Sequence, residues 1–218
     1  MRQNTIEQIL AHKIIVIVRG VARENLIPLA EAMYAGGIRL MELTYDAKGV
    51  TSDADTAENI RILAQHFKGR MLIGAGTVLN THQIELTKAA GGRFIISPDS
   101  NPEVIRYTVE CGLVSIPGAL TPTEMQAAHL AGADFIKVFP ASAFNFSYLK
   151  AVMAPLSHLR ILAVGGVTHE NLKEYLSAGI LGFGIGTSIV DKKLIAAGDW
   201  KGVTELALRY TAQLEEQK

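Results

Sequence analysis

Lysine is an unusual residue in the middle of a short apolar run, and the stretch GADFIKVFPAS, from Gly132 to Ser142, holds one. Phe135, Ile136, Val138 and Phe139 read as a buried β-strand bounded by Gly132 and Pro140, with Lys137 inside it. An ammonium group there loses hydration, a cost offset only by a paired charge or by release of its proton. Two roles fit. Lys137 is either a structural lysine, snorkelling or ion-paired, or an amine held neutral so that it can attack a carbonyl carbon.

A glutamate occupies a comparable place in GGIRLMELT, where Glu42 and Thr44 share one strand face and Leu43 takes the other. Arg19 closes the run IIVIVR, Thr77 follows GAG, and Phe139 shares the face of Lys137. Two glycine-rich stretches form a second constellation: AVGGV with Gly165 and Gly166, and GIGTS with Gly186, Thr187 and Ser188. Glycine lets the backbone approach a ligand closely, and exposed amides at a helix start, read here in SIVDKKLI, attract anions. The bland alternative is that these glycines only make tight turns. Two such loops on adjacent strands favour a phosphate.

The elements that must position these residues recur along the chain. Short apolar runs stand at IIVIVR (14), IRLMELT (38), MLIGAG (71), RFIIS (93), LVSIPG (113), DFIKVF (134), RILAVGG (160) and LGFGIG (181). Amphipathic stretches such as ENLIPLAEAMYAGG and NPEVIRYTVECG lie between them, many closing on glycine as helix C-termini do. Strict alternation requires a parallel sheet sheathed in helices. Eight such units close an α/β, (β/α)8 TIM barrel. The alternative, an open doubly wound sheet, lacks its Gly-rich dinucleotide turn after the first strand. The expected organisation is one barrel domain over residues 1–218, with residues 1–13 as an extra helix closing the bottom. Barrel chemistry sits at the C-terminal strand ends. Arg19, Glu42, Thr77, Lys137 and both glycine loops fall there, so the nucleophile reading of Lys137, with Glu42 moving protons, outweighs the ion pair.

Composition narrows the partners. The 218 residues carry 21 basic and 21 acidic side chains, a balance that argues against nucleic acid or an anionic membrane. No apolar run reaches about 18 residues, and MRQNTIEQILAHK is too polar for a signal peptide, so a soluble, cytoplasmic protein is expected. Cys111 is the only cysteine, read as an inert, half-buried thiol. His66, His82, His129, His158 and His169 are scattered, and no metal or organic cofactor is expected. The long connection YDAKGVTSDADTAENIRILAQHF reads as a loop over the barrel mouth in its first ten residues. Asp53 and Asp55 then read as caps of the following helix rather than metal ligands.

In order, GIRLMELT, IGAGTVLN, FIISPDSN, SIPGALTPTE, FIKVFPAS, AVGGVTHENL and GIGTSIVDK resemble the motif blocks of the 2-keto-3-deoxy-6-phosphogluconate aldolases. That family includes the 4-hydroxy-2-oxoglutarate aldolases and the 6-phosphogalactonate-type enzymes. The resemblance, over about residues 14 to 195, implies a homotrimeric class I aldolase acting on a phosphorylated 2-keto acid without a cofactor. By motif it implies Lys137 as the Schiff-base lysine and Glu42 as the general acid/base. It places Thr77 and Pro98 beside the pyruvyl portion, Arg19 in the substrate pocket, and Gly165, Gly166, Gly186 and Ser188 at the phosphate. Two positions depart: Asp46 stands where many gluconate-type members carry a carboxylate-binding arginine, and Val164 where they carry threonine. The motifs therefore leave open the C4 epimer, the unphosphorylated 4-hydroxy-2-oxoglutarate, and a sugar-phosphate isomerase or epimerase on the same barrel.

Overall fold

Strands made of consecutive Ile, Val and Leu can bury every residue only if both faces are covered, and the architecture meets that demand. The structure, a computed structural model, describes residues 1–215. Its first half runs α1 (Arg2–His12), β1 (Ile14–Val18), α2 (Arg23–Ala35), β2 (Leu40–Thr44), α3 (Asp53–His66), β3 (Leu72–Gly76), α4 (Thr81–Ala89), β4 (Phe94–Ile96), α5 (Pro102–Glu110) and β5 (Val114–Ile116). There follow β6 (Gly118–Ala119), α6 (Pro122–Leu130), β7 (Ile136–Val138), α7 (Phe146–Met153), β8 (Ile161–Val164), α8 (Leu172–Ser177), β9 (Gly182–Ile185), α9 (Lys192–Ala196) and α10 (Trp200–Glu215).

All ladders are parallel, in the order β5-β4-β3-β2-β1-β9-β8-β7-β6, which is the nearly closed barrel expected from the eight repeats. One repeat differs. The run LVSIPG forms two strands rather than one, because Pro117 has no N–H to give to a ladder. Ile116 pairs with β4 and Gly118 with β7, so the chain itself bridges the seam. The Pro117 carbonyl still accepts from the Lys137 amide at 2.8 Å.

The period of two sends Ile15, Leu40, Phe94, Ile96, Val114, Ile116, Phe135 and Leu162 into one interior cluster, which Ile6 and Ile9 of α1 complete. The extra helix thus plugs the end opposite the strand C-termini. Gly74 is needed in this layer, since a Cβ would collide with the Phe94 ring. Above it the interior changes character to Glu42, Gly76, Lys137, Val164 and Gly184.

Residues 46–52 form a loop between β2 and α3, as expected, but two details differ. Tyr45 belongs to the core: it is buried, and its hydroxyl donates to the Gln83 carbonyl at 3.1 Å. The cap of α3 is Ser52, whose Oγ accepts from the Asp55 amide at 3.0 Å. Asp53 and Asp55 lie inside the first turn, where carboxylates oppose the helix dipole, and they accept from Gln83 and Arg23. No helix among the described residues is long and apolar enough to cross a membrane.

Ile9 has no exposed surface and fills the bottom of the barrel. Ile9→Ala is expected to destabilise the fold by about 2–4 kcal/mol, read from urea unfolding. A loss below the usual scatter of surface substitutions contradicts the plug.

Candidate active site

Glu42 enters the barrel because Met41 and Leu43 on either side of it face the helices, leaving its own side chain inward. Its carboxylate lies against Gly76, where a Cβ would stand 2.5 Å from Oε1. It is 2% exposed and Oε2 has no hydrogen-bond partner. Burial pushes its pKa up to about 7, against the opposing pull of Lys137 and Arg19.

Lys137 enters the same space from β7, between Ile136 and Val138, and is 7% exposed. Its Nζ lies 4.6 Å from the centroid of the Phe139 ring. Burial pushes its pKa down; Glu42 and Asp99 push it back up, and Arg19 reinforces the fall. Burial therefore shifts both groups towards their neutral forms, the carboxyl upwards and the amine downwards. Such a pair can attack a carbonyl carbon and pass protons in both directions.

Arg19, just past β1, is exposed and donates from Nη2 to Thr77 Oγ1 at 2.9 Å. Thr77 sits at φ 55°, a left-handed conformation that a β-branched residue seldom adopts, and one that clusters at functional sites. The main chain on both sides is pinned: Tyr45 N donates to Gly76 O at 2.8 Å and Val78 N to Ile96 O at 3.2 Å. Pro98 is exposed on the rim, its carbonyl tight against Gly118.

The two glycine loops face Arg19, Phe139 and Val164 across a cavity of about 350 Å³ that Thr187 and Ser188 also line. Gly165 and Gly166 take φ of 89° and 76°, open only to glycine at this cost. A Cβ on Gly166 would also collide with Ser142, whose amide donates to Gly165 O at 3.1 Å. Ser188 Oγ donates to the Val167 carbonyl at 2.9 Å, tying one loop to the other. The turn from Gly186 to Val190 is not the start of α9. That helix begins at Lys192, and Asp191 Oδ1 takes the amides of Lys193 and Leu194. The amides available to an anion are those of the turn, not of the helix.

Asp46 accepts the amides of Lys48, Val50 and Thr51 at 3.0, 3.0 and 3.1 Å, bonds that hold its carboxyl below the usual carboxylate range. It organises the loop after β2. The motifs passed over Ile17, Gly76, Gly184, Ser142 and Asp99. Ile17 was within reach, since it shares the inward face of Arg19 by period two; the others depend on contacts between strands.

Residues 6–206 match the family model described as "Aldolase: KDPG and KHG aldolase". The chain belongs to this family. It is 38% identical over 187 residues to a probable 2-dehydro-3-deoxy-6-phosphogalactonate aldolase of Rhizobium meliloti, covering 85% of each chain. The KDPG aldolase of Legionella pneumophila, solved with pyruvate captured at low pH as a covalent carbinolamine intermediate, is 30% identical with a TM-score of 0.83, over 93% of this chain and 96% of that one. A cube-shaped protein cage designed by fusing symmetric oligomeric domains is 31% identical with a TM-score of 0.84, over 94% of this chain and 72% of that one.

Because the pKa of Glu42 rises from 4.5 to about 7 on folding, its protonated form stabilises the fold fully below pH 4.5, and that stability is lost as pH rises through about 7. Glu42→Gln cannot ionise, so its stability relative to the parent chain should rise by about 1–3 kcal/mol between those limits. Urea midpoints at about pH 5 and pH 8 measure this, and a constant difference contradicts it.

Proposed function

We propose that the chain is a class I aldolase that cleaves a phosphorylated 2-keto-3-deoxy sugar acid to pyruvate and glyceraldehyde 3-phosphate through a Schiff base on Lys137. The observation that carries this reading is the buried Lys137 sharing the barrel mouth with a buried Glu42 that has an unpartnered oxygen. The covalent carbinolamine named for the Legionella relative supports it.

The steps follow from that pair. The Nζ lone pair of Lys137 attacks C2, and Glu42 protonates the departing hydroxyl, leaving an iminium ion and water. Glu42, now a carboxylate, takes the C4 hydroxyl proton; the C3–C4 bond breaks and its electrons move onto the iminium nitrogen. The aldehyde leaves, Glu42 returns its proton to C3 of the enamine, and water attacks C2 of the iminium to release pyruvate and the free amine, the surplus proton passing back to Glu42. Arg19 and Thr77 receive the C1 carboxylate in place of an arginine at position 46. The amides around Gly165, Gly166, Gly186, Thr187 and Ser188 hold the phosphate, with Pro98 beside the pyruvyl group.

Val164 and Phe139 form an apolar wall by C4 that makes no hydrogen bond to a hydroxyl, so discrimination between the C4 epimers is weak or favours the galactonate form. We also propose a homotrimer. Its support is an apolar face on α6 and α7 with Leu130 76% exposed, beside Ala127, Tyr148, Val152 and Leu156, and the oligomeric domains of the cage relative.

Borohydride with pyruvate should leave a reduced pyruvyl group on Lys137, located by peptide mass, while Lys137→Met stays folded and unlabelled. A labelled Met variant, or an unlabelled parent chain, defeats the Schiff-base assignment. Val164→Thr should move the kcat/KM ratio towards the gluconate epimer by about 1–3 kcal/mol, the worth of one buried hydrogen bond. A parent enzyme strictly selective for that epimer, and unmoved by the change, contradicts the wall.

A further inference from the structure

The main chain of the two glycine loops is tied through its carbonyl oxygens. In a trans peptide the carbonyl and the following N–H point in opposite directions, so a bond to the oxygen aims the next amide the other way. Ser142 N donates to Gly165 O at 3.1 Å, and Asn171 Nδ2 donates to Gly166 O at 2.9 Å. The amides that follow, those of Gly166 and Val167, have no hydrogen-bond partner among the described residues. In the second loop Gly186 O takes the amides of Ile189 and Val190 at 3.0 and 2.9 Å. Those of Thr187 and Ser188 are left without a partner among the described residues. Gly166, Val167, Thr187 and Ser188 all line the cavity of about 350 Å³.

Two side chains outside that cavity hold the arrangement. Asn171, just ahead of α8, uses both ends of its amide: Nδ2 binds Gly166 O while Oδ1 accepts the Thr168 amide at 2.9 Å. Tyr210 of α10 reaches the other loop. It is 2% exposed, its hydroxyl donates to Ser188 O at 3.1 Å, and its ring lies 5.5 Å from that of His169 in the first loop. Ser188 in turn donates to Val167 O, so a line of bonds runs from α10 through one loop to the other. The helix that carries Tyr210 is anchored separately. Thr204 and Thr211 donate to Ala32 O and Gly36 O at 3.1 and 2.9 Å, fastening α10 to α2. A phenylalanine would fill the space of Tyr210 equally well; the hydroxyl adds the bond to Ser188.

We infer that Tyr210 and Asn171 are positioning residues for the substrate phosphate, holding the carbonyls of both loops so that the amides of Gly166, Val167, Thr187 and Ser188 converge on it. The inference rests on the phosphate reading above and deepens it. Amides aimed in advance need no reordering when the anion arrives, which is where preorganisation gains affinity. Hydrogen bonds weaken steeply once the donor turns away from the acceptor, so release of either carbonyl loosens the grip on the phosphate.

Tyr210→Phe keeps the ring and removes one hydroxyl; Asn171→Ala frees the Gly166 carbonyl from a different element. Each variant is assayed on a phosphorylated 2-keto-3-deoxy sugar acid, on its unphosphorylated counterpart and in pyruvate trapping by borohydride, with urea midpoints confirming the fold. KM for the phosphorylated substrate should rise roughly three- to tenfold in each, the worth of one neutral hydrogen bond. Turnover of the unphosphorylated substrate and pyruvate trapping, which involve no phosphate, should follow the parent chain. Asn171→Ala decides the matter if Tyr210→Phe fails to fold. An equal fall in kcat/KM on both substrates shows a structural role alone and overturns the inference, as does an unchanged KM for the phosphorylated one. A parent chain that traps pyruvate yet shows no preference for the phosphorylated substrate overturns the phosphate reading and this inference with it, while the Schiff base stands.

Discussion

Everything in this barrel answers to one constraint: an amine and a carboxyl are kept out of water in the same small volume. A buried ion pair seldom stabilises a fold, because the loss of hydration rivals the attraction between the charges. Lys137 and Glu42 escape part of that cost by shifting towards their neutral forms, which is the state carbonyl chemistry requires. The space they occupy is made by absent side chains. Gly76 leaves room for the carboxylate, and Gly184 leaves room for Val164, whose Cγ2 would lie 2.8 Å from a Cβ there.

The rest of the molecule supplies stability from elsewhere. The lower interior is apolar and is sealed by Ile6 and Ile9, so the mouth can carry polar groups without a competing demand to pack. Rigidity at the mouth comes from the main-chain ties of Ser142 to Gly165, Gly118 to Asp99 and Lys137 to Pro117, and from the Ser188 hydroxyl bonded to the Val167 carbonyl. These bonds join loops that are adjacent around the barrel and distant in sequence. A substitution in one loop is therefore felt in the next.

Much of this was legible in the sequence. Eight apolar runs separated by amphipathic stretches give the parallel barrel, and period two puts Glu42 and Lys137 inside it, because both signals depend on neighbours along the chain. The splitting of LVSIPG at Pro117 was not read, since the run counted as one strand although its proline lacks the N–H of a ladder residue. Other features were not legible. The left-handed Thr77 is held by bonds from β2 and β4 flanks. Capping by Ser52 rather than Asp53 or Asp55 turns on one to three residues of register. The turn of Ser188 towards Val167 and the place of Asp99 beside the seam arise only when separate loops meet. Local pattern fixes elements and faces; it does not fix which loop leans on which.

The most direct test is an NMR titration of Lys137 in the ligand-free protein with lysine labelled at Cε, assigned through Lys137→Met. The Lys137 resonance should titrate below the ordinary lysine value of 10.5, and report the ionisation of Glu42 near pH 7 as a second inflection that Glu42→Gln abolishes. A single transition at or above 10.5 would show a lysine held charged by its neighbours, and the structural ion pair would stand in place of the nucleophile.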